Sequence, residues 1–131
     1  MERRIVNPWT WQDQYGYVQA NEVTGAERVL YCAGQTSVDE NGELLHEGDM
    51  AGQIGQALDN LEAVLREGGF TLADVVRLNY YTTDVEAFIE AGAAHGGRLE
   101  EAGCRPAGTL LGVARLAFPG LLVEIEATAA R

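Results

Sequence analysis

Apolar positions change their spacing along this chain, and each change marks a new element. Arg4-Ile5-Val6 is a short extended start, and Tyr17-Val18-Gln19-Ala20 and Arg28 to Ala33 read as two further strands. Asn21-Glu22-Val23-Thr24-Gly25 between them has turn chemistry, and Gly34 closes the third strand. Asn41-Gly42, inside Asp39 to Glu43, supplies the positive-φ positions of a tight hairpin. From residue 50 the period lengthens. Met50, Ile54, Ala57, Leu58, Leu61, Val64 and Leu65 recur at three- and four-residue steps, and Gly68-Gly69 ends that helix. Asp74 to Thr82, rich in Val, Leu and Tyr, is a strand again. A weaker helix is expected from Val85 to Ala102, where Gly92, Gly96 and Gly97 each cost about 1 kcal/mol relative to alanine. Gly108 to Leu116 and Leu121 to Ala129 read as closing strands, parted by a Phe118-Pro119-Gly120 turn.

The order is β-β-β-α-β-α-β-β, an α/β (α+β) arrangement in which two helices pack on one face of a single sheet. The other face has no helix to cover it. In the last strand Val123, Ile125, Ala127 and Ala129 point one way, and Leu122, Glu124, Glu126 and Thr128 the other. The first set suits the helix-packed core. The second mixes apolar residues with carboxylates and suits either a wet face or a contact with another subunit.

At 131 residues the chain matches one domain spanning 1–131, and its 47% hydrophobic content excludes disorder. No apolar run approaches the roughly 18 residues of a membrane span, and Met-Glu-Arg-Arg with two apolar residues after it is not a signal peptide. A cytoplasmic protein without a membrane partner is the expectation. Cys32, inside an apolar run, and Cys104 are expected to stay reduced. Neither belongs to a Cys/His cluster, and His46 and His95 are far apart in sequence, so no metal site is expected. The net charge is −11, and all nine basic residues are arginine. Schiff-base chemistry through lysine is excluded. With Arg3-Arg4 the only basic pair, nothing follows a phosphate backbone, so nucleic acid is not an expected partner.

Four stretches, in order along nearly the whole chain, carry a resemblance. They are Tyr31-Cys32-Ala33-Gly34-Gln35 before the Asp-Glu-Asn-Gly-Glu turn, Gln53 to Leu61, Gly69 to Val85, and Val113-Ala114-Arg115-Leu116 with Val123-Glu124-Ile125-Glu126-Ala127. Together they resemble the RidA/YjgF (reactive intermediate deaminase) family. The resemblance implies a chorismate-mutase-like fold, a homotrimer joined through its open sheet faces, and small-molecule pockets between neighbouring subunits. It also implies hydrolysis of reactive enamines and imines without metal or organic cofactor.

Carried over position by position, the resemblance is incomplete. Where deaminating members have Pro-Ala-Arg-Ser/Thr, with an arginine that clamps the substrate carboxylate, this chain reads Pro106-Ala107-Gly108-Thr109. A planar guanidinium fits that task because its fork matches two carboxylate oxygens. Gly108 stands in its place. Arg105, three residues earlier, is either an exposed loop charge or a substitute. Tyr17 matches an aromatic of the family pocket, and Gly34 and Thr109 are expected to line it. Leu110 stands where many members have cysteine, and Gly92 where some have asparagine. Glu124 matches the glutamate that positions the attacking water, although an interface carboxylate would read the same.

Two functions follow. One is a cofactor-independent hydrolase of an imine or enamine other than small 2-imino acids. The other is a non-catalytic trimeric small-molecule-binding protein. Restoring arginine at position 108 would supply the clamp, provided the backbone there admits a side chain. An endoribonuclease, a label some members carry, fits poorly with −11 and no lysine.

Overall fold

The 3.6-residue and two-residue periods settle into one helix-backed sheet, and the computed structural model describes all of residues 1–131. The strands are β1 (Glu2–Val6), β2 (Ala20–Thr24), β3 (Val29–Gln35), β4 (Val75–Thr82), β5 (Leu110–Gly112) and β6 (Val123–Ala130). The helices are α1 (Met50–Glu67), α2 (Val85–Gly92) and α3 (Gly96–Glu101). The main sheet is mixed, in the order β3-β6-β4-β5, with β4 and β5 parallel and the other pairs antiparallel.

α1 starts where Asp49 caps it, its side chain accepting from the Gly52 N–H at 3.0 Å. Its stripe of Met50, Ile54, Ala57, Leu58, Leu61 and Leu65 is buried against β3 and β6. Val123, Ile125, Ala127 and Ala129 of β6 meet it from the sheet, and burial alternates along β6 as the sequence predicts. Leu78 completes the core, while Phe88 of α2 lies 5.2 Å from the Tyr80 ring. Cys32 and Cys104 are both buried and free, and burial pushes the Cys104 thiol up to about 11.

Three expectations need correction. The second strand is not Tyr17–Ala20 but Ala20–Thr24, and the segment expected to turn is itself strand. It pairs antiparallel with β1, where Arg4 and Glu22 face each other and their charges meet at 3.0 Å. A long-range partner overrides the local turn preference. This hairpin stands apart from the main sheet, so β3 is an edge strand. It is tied instead to the start of β4: Arg3 donates to the carbonyls of Ala73, Val75 and Arg105, and Asn21 to those of Val76 and Arg105. The second helix is broken into α2 and α3 across residues 93–95, where its glycines cluster. The fifth strand is shorter than expected, and residues 113–122 form a loop that returns to β6. Buried Gln53 pins that loop. It donates to the Gly120 carbonyl at 2.9 Å and accepts from the Leu122 N–H at 2.8 Å.

Candidate functional site

No helix covers the second face of the main sheet. Register places Arg77, Asn79 and Tyr81 of β4 there, beside Thr128, Glu126 and Glu124 of β6. Tyr31 of β3 is 81% exposed on the same side, and Leu111 of β5 adds exposed apolar surface.

Glu124 and Glu126 differ sharply in their surroundings. Glu126 accepts hydrogen bonds from the Tyr81 hydroxyl and from Asn79 Nδ2, the latter at 3.1 Å. Those bonds, Tyr81's first, hold its carboxyl below the usual range, and the same bond to Glu126 is the main cause that raises the Tyr81 phenol. Glu124 is half-buried, lies directly opposite Tyr81, and accepts no hydrogen bond within the chain. It lies over Gly34, where an added Cβ would come within 2.6 Å of its carboxyl carbon. Gly34 is thus the floor on which the Glu124 carboxylate rests, one of its oxygens included.

Gly108 has a different reason to be glycine. An added Cβ would meet the Leu78 carbonyl oxygen at 2.0 Å, a backbone contact that no rotamer relieves. The Ala107 and Thr109 carbonyls accept from the Leu78 and Tyr80 N–H groups, both at 2.9 Å, which locks residues 107–109 against β4. Arginine has no room here without a shift of the strand.

The expected site residues fall into two groups within one chain. Glu124 and Gly34 sit together. Thr109 is linked to Glu126 and not to this pair: its N–H donates to Asn79 Oδ1 at 3.1 Å and Asn79 donates onward to Glu126. Tyr17 and Arg105 lie at the other end of β4, where the Val18 N–H donates to the Pro106 carbonyl at 3.0 Å and Trp11 meets the Tyr17 ring edge-on at 6.2 Å. Ala107 is level with Arg77 and Glu124 with Tyr81, so about 13 Å of strand separates the two ends. The Arg105 side chain is exposed and makes no ion pair. Leu110 pairs with Tyr80, whose ring packs on Phe88, so its side chain shares the helix-covered side and not the face that bears Glu124. Gly92 ends α2, with the Phe88 ring the side chain nearest it.

Two of the surface clefts bear on the site. One, of about 350 Å³, lies between Thr83 and the 114–121 loop. The other, of about 430 Å³, lies between the hairpin and the open sheet face, where Gln19 and Asn21 face Tyr31, Arg77 and Thr128. Neither includes Glu124. Asn79 and Tyr81 are the polar residues that sequence reading missed. Their spacing of two along β4, opposite the Glu124/Glu126 pair, is the signal that would have found them.

Residues 12–131 match the protein family described as Endoribonuclease L-PSP. A RutC family protein of Pyrococcus horikoshii is 33% identical over 79% of this chain and 80% of its own length. The 2-iminobutanoate/2-iminopropanoate deaminase of Escherichia coli is 30% identical over 79% and 80%. Among solved structures, the Rid-family protein YyfB of Yersinia pestis superposes with a TM-score of 0.89 at 41% identity, over the whole of both chains. The order of elements, the two-faced sheet and these matches together place the chain in the RidA/YjgF family, with its chorismate-mutase-like fold.

Proposed function

We propose that this protein is a cofactor-independent hydrolase of imines or enamines that lack a carboxylate, acting at clefts between three copies of the chain. One observation carries the reading: Glu124 presents a carboxylate without an internal partner on the uncovered sheet face. Burying such a group unpaired costs several kcal/mol, so it calls for water, a ligand or a donor from a neighbouring copy. Orienting a water is chemistry it performs well. The water oxygen adds to the C=N carbon, Glu124 takes a water proton, and the nitrogen receives one. The carbinolamine then collapses to a carbonyl compound and ammonia. Separation of Tyr17 and Arg105 from Glu124 within one chain supports a site completed by a second copy.

Gly108 supports the restriction on substrate. A charge-assisted pair to a carboxylate is worth about 1.5–3 kcal/mol, and the backbone at 108 offers no place to hang one. The same observation is what favours a non-catalytic binder as the second reading. Ammonia release separates them. Benzaldimine, formed in situ from benzylamine by a flavin amine oxidase, should be hydrolysed well above its background rate. 2-Iminopropanoate, formed from alanine by an amino-acid oxidase, should be accelerated weakly or not at all. Glu124→Gln should lower turnover about 10²-fold or more with the assembly intact. Ligand binding without acceleration of either imine would establish the binder instead.

A further inference from the structure

Tyr31, Thr128 and Arg77 form one row across three strands of the uncovered face. Thr128 of β6 is paired with Tyr31 on one side and with Arg77 on the other. The register of β4 shifts between Val75 and Arg77, a bulge that brings Arg77 level with Thr128. Directly opposite residues have Cβ atoms about 4.5–5.5 Å apart, so a phenol, a hydroxyl and a guanidinium share one strip of surface. None of these three side chains makes a hydrogen bond or an ion pair within the chain.

The strip is one wall of the cleft of about 430 Å³ beside the hairpin. The opposite wall is already committed. Asn21 accepts from Arg3 Nε at 3.0 Å and donates to the Val76 and Arg105 carbonyls, and Gln19 donates its side-chain amide to Gln12 at 3.0 Å. Those bonds fix that wall and leave the free donors on the Arg77 side. No carboxylate lines the cleft, in a chain whose net charge is −11. Val76 and Ala107 add apolar surface, and Tyr31 is 81% exposed. A guanidinium matches the two oxygens of a carboxylate, and an exposed phenol ring takes a flat apolar body.

We propose that this cleft is a binding site for a small carboxylate with a flat apolar body, anchored by Arg77. The guanidinium donates to the carboxylate, the Thr128 hydroxyl is the neighbouring donor, and the Tyr31 ring covers the body. The volume falls within the roughly 300–1,000 Å³ of small-molecule sites. The site is separate from the proposed hydrolytic one and does not depend on it. About 13 Å of strand parts Arg77 from the level of Glu124, so an acid held here stays clear of that carboxylate on the same chain.

Benzoate is the probe, titrated by calorimetry at low salt, where screening is least, with the mass of each preparation measured by light scattering. Wild type should bind one benzoate per chain. Benzamide, of the same shape without the charge, should bind about tenfold more weakly or worse. Arg77→Gln should weaken benzoate by about tenfold or more at the wild-type mass. Arg115→Gln, which removes an equal charge from the other cleft, should bind as wild type does. Acetate should bind more weakly than benzoate, and Tyr31→Ala should abolish that difference. A wild type that binds no benzoate, or an Arg77→Gln protein that binds it equally well, overturns the site. An Arg77→Gln protein of lower mass shows that a neighbouring copy is the partner of Arg77, and overturns it too. Acetate bound as tightly as benzoate by wild type overturns the flat apolar body. Inhibition of benzaldimine turnover by benzoate that Arg77→Gln abolishes overturns the separation from the hydrolytic site.

Discussion

Gly108 and Gly34 are both glycines under pressure from a neighbour, but the neighbours differ in kind. At Gly34 the obstacle is the carboxyl end of Glu124, a side chain that can swing away. At Gly108 it is the Leu78 carbonyl, part of the sheet itself. Gly108→Ala should therefore lower the unfolding free energy by about 1–3 kcal/mol, as at other overpacked sites, seen as a lower urea midpoint with an unaltered slope. Gly108→Arg should be at least as destabilised and should gain no activity on 2-iminopropanoate. A stable Gly108→Arg protein that hydrolyses it would show that the strand yields. The sequence made the substitution of glycine for arginine plain, because the flanking Pro106-Ala107 and Thr109 keep their places. It could not show why glycine is required, since Leu78 is thirty residues away along the chain and reaches position 108 only through the parallel pairing of two strands. Asn79 and Tyr81 were overlooked for a related reason. A polar residue in a strand carries little meaning until the opposing strand is known.

Elements whose evidence is local were the legible ones. α1 begins at Met50 as its apolar stripe predicts and ends just before Gly68-Gly69, and β6 alternates as read. β2 was misplaced because Asn21 and Gly25 favour a turn locally while pairing with β1 recruits Asn21 to Thr24 into a strand. The segment from 113 to 122 reads as strand at both ends because Val113 and Leu121 are apolar; its two ends do bond to β4, through the Val113 N–H and the Leu122 carbonyl, but Gln53 takes the Gly120 carbonyl and the Leu122 N–H. Replacing Gln53 by leucine should leave the Leu122 N–H and the Gly120 carbonyl unpaired, each at about 1–3 kcal/mol. Thermal unfolding should show that loss. Because Leu122 precedes Glu124 by two residues, turnover on benzaldimine should fall as well. A Gln53→Leu protein with the wild-type melting temperature would show that the bonds to α1 do not hold the loop.

For the whole molecule, the uncovered face is the main consequence of the topology. Tyr31, Val29 and Leu111 expose apolar surface there around Glu124 and Glu126, and a lone chain would leave all of it in water. Light scattering at micromolar concentration should give three times the 14.1 kDa chain mass. A clean monomer would remove the shared cleft and the site built on it. The −11 charge bears on partners at this same scale, since it repels a phosphate backbone at any distance the ionic atmosphere permits. A labelled RNA oligonucleotide should show no binding at low salt, where attraction would be strongest.

The closeness of Leu78 to Gly108 also bears on ancestry. A chain with arginine at this position would need the two strands farther apart or differently aligned, because here the Leu78 carbonyl fills the space a Cβ would take. With the Leu78 carbonyl in that gap, a single substitution to arginine would not restore the clamp. Reversal would require the backbone to reopen first, a change that yields no benefit until the side chain arrives. The contact works as a ratchet, so descendants of this chain would be free to explore new substrates but not to recover the old one in one step.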